Sequence, residues 1–96
     1  MTKAQIISEI ANKTGQKKNE IQKTIDAFTD TVQNALEMGE NVSMRGFGNF
    51  HIKYRAEKTA RNISNNTAII VPAHCIPVFK PAKEFVNKIK KSIKIS

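Results

Sequence analysis

Tryptophan is missing, cysteine occurs once, and sixteen Lys and Arg outnumber eight Asp and Glu two to one. A single thiol, Cys75, excludes an intramolecular disulfide, and with only His51 and His74 it cannot complete a tetrahedral zinc site. Cys75 is therefore expected as a small buried residue in a reducing compartment. No apolar run approaches the ~20 residues of a membrane span. The start, M-T-K-A-Q-I-I-S-E-I, interleaves polar and apolar residues where a signal peptide needs a continuous apolar core. The chain is expected to stay where it is made. No Ser/His/Asp or Cys/His set and no G-x-x-x-x-G-K-S/T loop stands out, so no enzyme activity, cofactor, metal or small-molecule substrate is expected.

What is present is positive charge, +8 over 96 residues. It is lopsided. Residues 1–40 carry five Lys against six acids, net −1, whereas residues 41–96 carry eleven Lys and Arg against two acids, net +9. An excess of this size attracts polyanions, and it assigns that work to the second part of the chain. The length allows one domain with a modest core, a size at which chains often associate to bury more surface.

Thr2 followed by Gln5 forms a capping box, with Met1 placed to staple onto Ile6, and Ile6, Ile7, Ile10 and Ala11 line one face of a first helix that Gly15 ends. Ile21, Ile25, Phe28, Val32, Ala35 and Leu36 repeat at three- and four-residue intervals, predicting a second helix closed by Gly39. The period then becomes two. Val42 and Met44 alternate with Asn41, Ser43 and Arg45, and Phe50, Ile52 and Tyr54 resume the alternation after Gly46-Phe47-Gly48. This predicts a β-hairpin whose two glycines take positive φ while Phe47 points to the core.

From Arg55 to Ala68 large apolar residues nearly vanish, and only Glu57 is acidic. Residues 55–74 are expected to form a two-stranded arm reversing near Asn65-Asn66, with Pro72 at an edge or bulge where it rejoins a body made of residues 1–54 and 75–96. Ile76, Pro77, Val78 and Phe79 return the chain to the core. Pro81 suits the first turn of a last helix with an apolar stripe of Phe85, Ile89 and Ile93 and a basic remainder of Lys83, Lys88, Lys90, Lys91 and Lys94. The final K-S-I-K-I-S either extends that helix or frays.

The segments G46-F47-G48-N49-F50 and R55-A-E-K58-T-A60-R61-N62, in this order of elements, resemble the HU/integration host factor family of bacterial histone-like DNA-binding proteins, closer to HU, from Met1 to about Lys90. The resemblance implies an α+β fold: an intertwined dimer with an N-terminal helical hairpin, a three-stranded antiparallel saddle extended into a long β-arm, and a short C-terminal helix. It implies a homodimer, with a paralogous heterodimer as the variant, whose core includes Phe28, Phe47, Phe50 and Phe79. The implied partner is double-stranded DNA, gripped in the minor groove by the arms and then bent and compacted. Location with the nucleoid in the cytoplasm follows.

Lys53, Arg55, Lys58 and Arg61 supply cations along the ribbon for phosphates on either side of a groove, and Asn62 can donate to minor-groove acceptors that discriminate poorly among sequences. Lys80, Lys83 and Lys3 are body positions suited to the flanks of bent DNA. Ile63 stands where the family commonly has proline, followed by Ser64-Asn65-Asn66 instead of a Thr-Gly turn. An apolar side chain there is a wedge for an unstacked base step, so DNA already bent, nicked or mismatched is expected to be preferred. The alternative is an isoleucine packed against its own strand. Lys58 and Ala60 replace the family's frequent Arg and Gly, keeping phosphate attraction but losing the flat fork of Arg. Three other functions stay open: a site-specific DNA bender of the same family, an RNA-binding protein, and a membrane-surface module built on the basic last helix.

Overall fold

A computed structural model describes residues 1–62 and 67–95. The elements run α1 (Lys3–Thr14), α2 (Lys18–Glu37), β1 (Val42–Met44), β2 (Gly48–Arg55), β3 (Lys58–Asn62), β4 (Thr67–Val71), β5 (His74–Pro81) and α3 (Lys83–Ser92). Two compact units divide the chain, Met1–Asn34 and Ala35–Ser96.

In the first unit the predicted capping box forms: Gln5 N–H donates to Thr2 Oγ1 at 3.3 Å, and Thr2 N–H donates to Gln5 Oε1 at 2.7 Å. Two orphan donors of the first turn are thereby satisfied. Gly15 closes α1 in the left-handed conformation, its N–H donating to Ala11 O at 2.8 Å. Ile7, Ile21 and Val32 are buried, yet Ile6 and Phe28 of the same apolar stripes stay exposed. A helical hairpin of this length leaves part of its greasy side open.

The second unit opens with the end of α2, where Gly39 N–H donates to Leu36 O and Glu40 N–H to Ala35 O, both at 2.9 Å. That pair of bonds is a Schellman motif, which requires the positive φ that Gly39 supplies. The chain then forms a three-stranded antiparallel sheet in the order β1-β2-β5 and a separate two-stranded ribbon of β3 and β4. Gly46 turns the first hairpin at φ +82, and Phe47 N–H bonds to Met44 O at 3.0 Å. Gly48 corrects the expectation for this turn. It is the first residue of β2, has no positive φ, and is small because a Cβ there would lie 2.5 Å from Phe79 Cζ and 2.6 Å from Lys80 O.

Three further expectations are revised. Phe47 is 44% exposed within the single chain, although its ring packs on Phe79 (centroids 5.0 Å apart) and stacks on Phe85 (5.8 Å). Cys75 is exposed, because the register places it opposite Tyr54, itself exposed, beyond the aromatic packing of the sheet. Pro81 ends β5 rather than starting the helix; Ala82 is the N-cap, and its extended backbone is the one a residue following the strand carries over. At the other end, Ile93 caps α3 in an extended conformation, so the helix stops at Ser92.

Candidate nucleic-acid interface

Side chains alternate across a strand, and directly opposed residues of antiparallel neighbours share a face. The β2–β5 register pairs Phe50 with Phe79, Ile52 with Pro77 and Tyr54 with Cys75 on one face. Phe50 and Phe79 pack with ring centroids 4.9 Å apart, and this face meets the aromatic cluster with Phe47 and Phe85. The other face pairs Asn49 with Lys80, His51 with Val78, Lys53 with Ile76 and Arg55 with His74. One face buries carbon; the other collects cations.

A concavity on the cationic side is lined by Ser43, Arg45, Asn49, His51, Lys80 and Lys83, among others. Lys80 and Lys83 lie on either side of Pro81-Ala82, and Ala82, the N-cap of α3, makes no side-chain cap bond to the first turn. Arg45, Asn49 and His51 are the residues that sequence reasoning missed. Their parity along the strands was legible; their convergence with Lys80 needed the β2–β5 register. His51 Nδ1 lies 3.1 Å from Asn49 Oδ1, which orients the imidazole on this face.

The ribbon continues the cationic theme. β2 stops at Arg55 and β3 starts at Lys58, while β4 stops at Val71 and β5 starts at His74, so both chains break over two residues at the junction of sheet and ribbon. Pro72 sits in this break, where its missing N–H costs no ladder bond, and His74 Nδ1 donates to its carbonyl at 2.9 Å. In the ribbon Lys58 pairs with Val71 and Arg61 with Ala68, so each cation faces a neutral residue on the other strand. Both are exposed. Asn62 ends β3, and the predicted wedge Ile63 and reversal Asn65-Asn66 lie outside the described residues.

Lys53, Arg55, Lys58, Arg61, Lys80 and Lys83 therefore share the second unit. Lys3 belongs to the first, where it forms an exposed ion pair with Asp26. Among the described residues it is the one predicted cation with an ion-pair partner. Of the predicted core aromatics, Phe50 is half-buried, whereas Phe28, Phe47 and Phe79 are 40, 44 and 36% exposed.

A basic sheet face prolonged by a cationic ribbon defines a surface suited to an extended, regularly charged polymer. The model of the family described as bacterial DNA-binding protein matches residues 1–90. DNA-binding protein HU of Clostridium pasteurianum is 38% identical over 91 residues, 95% of this chain and 100% of that protein. The SPbeta prophage-derived DNA-binding protein HU 2 of Bacillus subtilis is 38% identical over 90 residues, 94% and 98% of the two chains. Among solved structures, the fold matches an Anabaena HU–DNA cocrystal structure with a TM-score of 0.87 at 28% identity, covering 93% of this chain and 97% of that one. It matches HU from Thermotoga maritima with a TM-score of 0.67 at 29% identity, covering 94% and 100%. The chain belongs to the bacterial DNA-binding protein family, has the α+β HU fold, and is a histone-like architectural protein. That family is a DNA-binding one.

Proposed function

We propose that the protein works as a homodimer that binds duplex DNA through the minor groove with little sequence specificity, bends it and compacts it. The observation that carries this reading is the placement of Lys53, Arg55 and Lys80 on one face of the β2–β5 sheet, with Lys58 and Arg61 on the ribbon that follows. Cations laid along a track neutralise successive phosphates and release counterions, a term indifferent to base sequence. A two-stranded ribbon fits a groove, and minor-groove edges distinguish little beyond A·T from G·C.

Dimerisation is supported by what the chain leaves uncovered. Phe79, Pro81, Phe85, Val86 and Ile89 line an apolar groove, and Phe28 and Phe47 are also accessible. A second copy supplies the missing cover, so Phe28, Phe47, Phe50 and Phe79 form the dimer core. Ile63 is the wedge, inserted between base pairs as in the minor-groove architectural proteins, HU among them. Lys80, Lys83 and Lys3 meet the flanks. The protein then resides with the nucleoid, and no helix among the described residues is long and apolar enough to cross a membrane.

Titration of intact and nicked duplexes at several salt concentrations tests the reading. Each neutralised phosphate steepens log K against log salt by about 0.9. A steep slope with tighter binding to the nicked duplex is expected, because a nick lowers the deformation energy that binding must supply. A shallow slope, or equal affinity for the two duplexes, contradicts it.

A further inference from the structure

The cationic sheet face and ribbon leave one concentration of charge unused. Lys88, Lys90 and Lys91 lie in the second half of α3 and Lys94 just beyond it, all exposed, with Glu84 the only acid from residue 83 to 95. The match to the family model ends at residue 90, and 91 residues of this chain span the whole C. pasteurianum relative. Lys91 and Lys94 lie past the residues that the family model matches. Lysines near a helix C-terminus interact favourably with the backbone dipole, but that effect falls off within one turn and calls for no charge beyond the helix end.

Direction decides what these charges can reach. Phe85, Val86 and Ile89 form the apolar stripe of α3, Phe85 stacks on Phe47, and the stripe shares a groove with Phe79 and Pro81 of the carbon-burying face. At about 100° per residue, Lys91 stands about 170° round the helix from the centre of that stripe and Lys88 about 105°. Lys91 thus points away from the sheet, and Lys88 borders the Phe47 side. A helix is about 10–12 Å across. Phosphates seated on the opposite, cationic face of the sheet are separated from Lys91 by the helix and the sheet together, more than the Debye length of about 8 Å at physiological salt. Of the α3 lysines, Lys83 in the first turn lines the cationic concavity, with Glu84 beside it, and Lys88, Lys90 and Lys91 do not.

We infer that the outer side of α3, carrying Lys88 and Lys91, and the segment just past its end, carrying Lys94, form a second polyanion site, which holds a second segment of duplex DNA while the sheet and ribbon hold the first. This rests on the proposed seating of the first duplex. A dimer carries two such helices, so one bound dimer bridges two duplexes, a direct physical route to compaction.

The test uses the full chain and a triple variant, Lys88→Gln, Lys91→Gln and Lys94→Gln. An immobilised duplex of about 20 base pairs, too short to wrap round the body, is loaded with protein, washed and offered a labelled second duplex at fixed salt. The wild type is expected to retain the second duplex and the variant to retain at least fivefold less, with binding of the first duplex unchanged within twofold. Arginine at the same three positions restores capture, and an unchanged helical circular-dichroism signal shows that the variant folds. Equal capture by wild type and variant overturns the second site. So does a variant defect that appears only as weaker binding to one longer duplex, because the lysines then hold the flank of the first DNA. Failure of both proteins to bind the first duplex counts against the seating on the sheet instead.

Discussion

The three-stranded sheet and the two-stranded ribbon are adjacent in the chain and built from the same antiparallel ladder, yet they are stabilised differently. In the sheet, Phe50 and Phe79 pack as a cross-strand aromatic pair and Phe47 adds a third ring. In the ribbon, Ile69 and Ile70 occupy neighbouring positions on opposite faces and both are exposed, 46 and 66%. Two-stranded hairpins without a packed face are marginal in water. The sheet thus holds a shape by itself, whereas on the proposed function the ribbon, with Lys58 and Arg61, gains its stabilisation from the polyanion it binds.

Substitutions that separate packing from binding sharpen this contrast. Phe79→Ala removes the ring shared by Phe47 and Phe50 and is expected to cost about 3–4 kcal/mol in urea unfolding. Gly48→Ala forces a Cβ against the Phe79 ring and the Lys80 carbonyl; a loss of about 1–3 kcal/mol is expected by the same measurement. On the ribbon, changing Lys58 and Arg61 together to Gln is expected to lower DNA affinity roughly tenfold at moderate salt. It should also flatten the salt slope by about 2–4 for a dimer with four fewer cations, leaving the unfolding midpoint in place. Ile70→Thr should change stability by less than about 0.5 kcal/mol, as is usual at exposed positions. A large loss there would show that the ribbon packs on something, and the contrast with the sheet would fail.

Much of this arrangement was legible beforehand because local chemistry dictates it. Thr2 with Gln5 and Gly39 after Leu36 carry their helix boundaries in two or three residues, and the change of period after Gly39 marks where helix gives way to strand. Gly48 was read as a turn glycine because a sequence does not reveal that Phe79, thirty-one positions on, occupies the space of its missing side chain. Arg45, Asn49 and His51 were missed for the same reason: residues meet across a face only once the register is set. Cys75 was expected inside because small apolar-like residues usually are, and only the end of the aromatic packing at Tyr54 shows otherwise. Lys3 reads as a free cation until Asp26, one helix later, is found beside it.

The central claim is that the protein deforms DNA with the apolar side chain of Ile63 as a wedge, and Ile63→Ala tests it most directly. End-to-end energy transfer on a doubly labelled duplex, read at saturating protein, separates bending from binding. The expected result is a clear loss of bending with affinity reduced far less, because the phosphate contacts of Lys53, Arg55, Lys58 and Arg61 remain. Equal bending by variant and wild type would contradict the wedge.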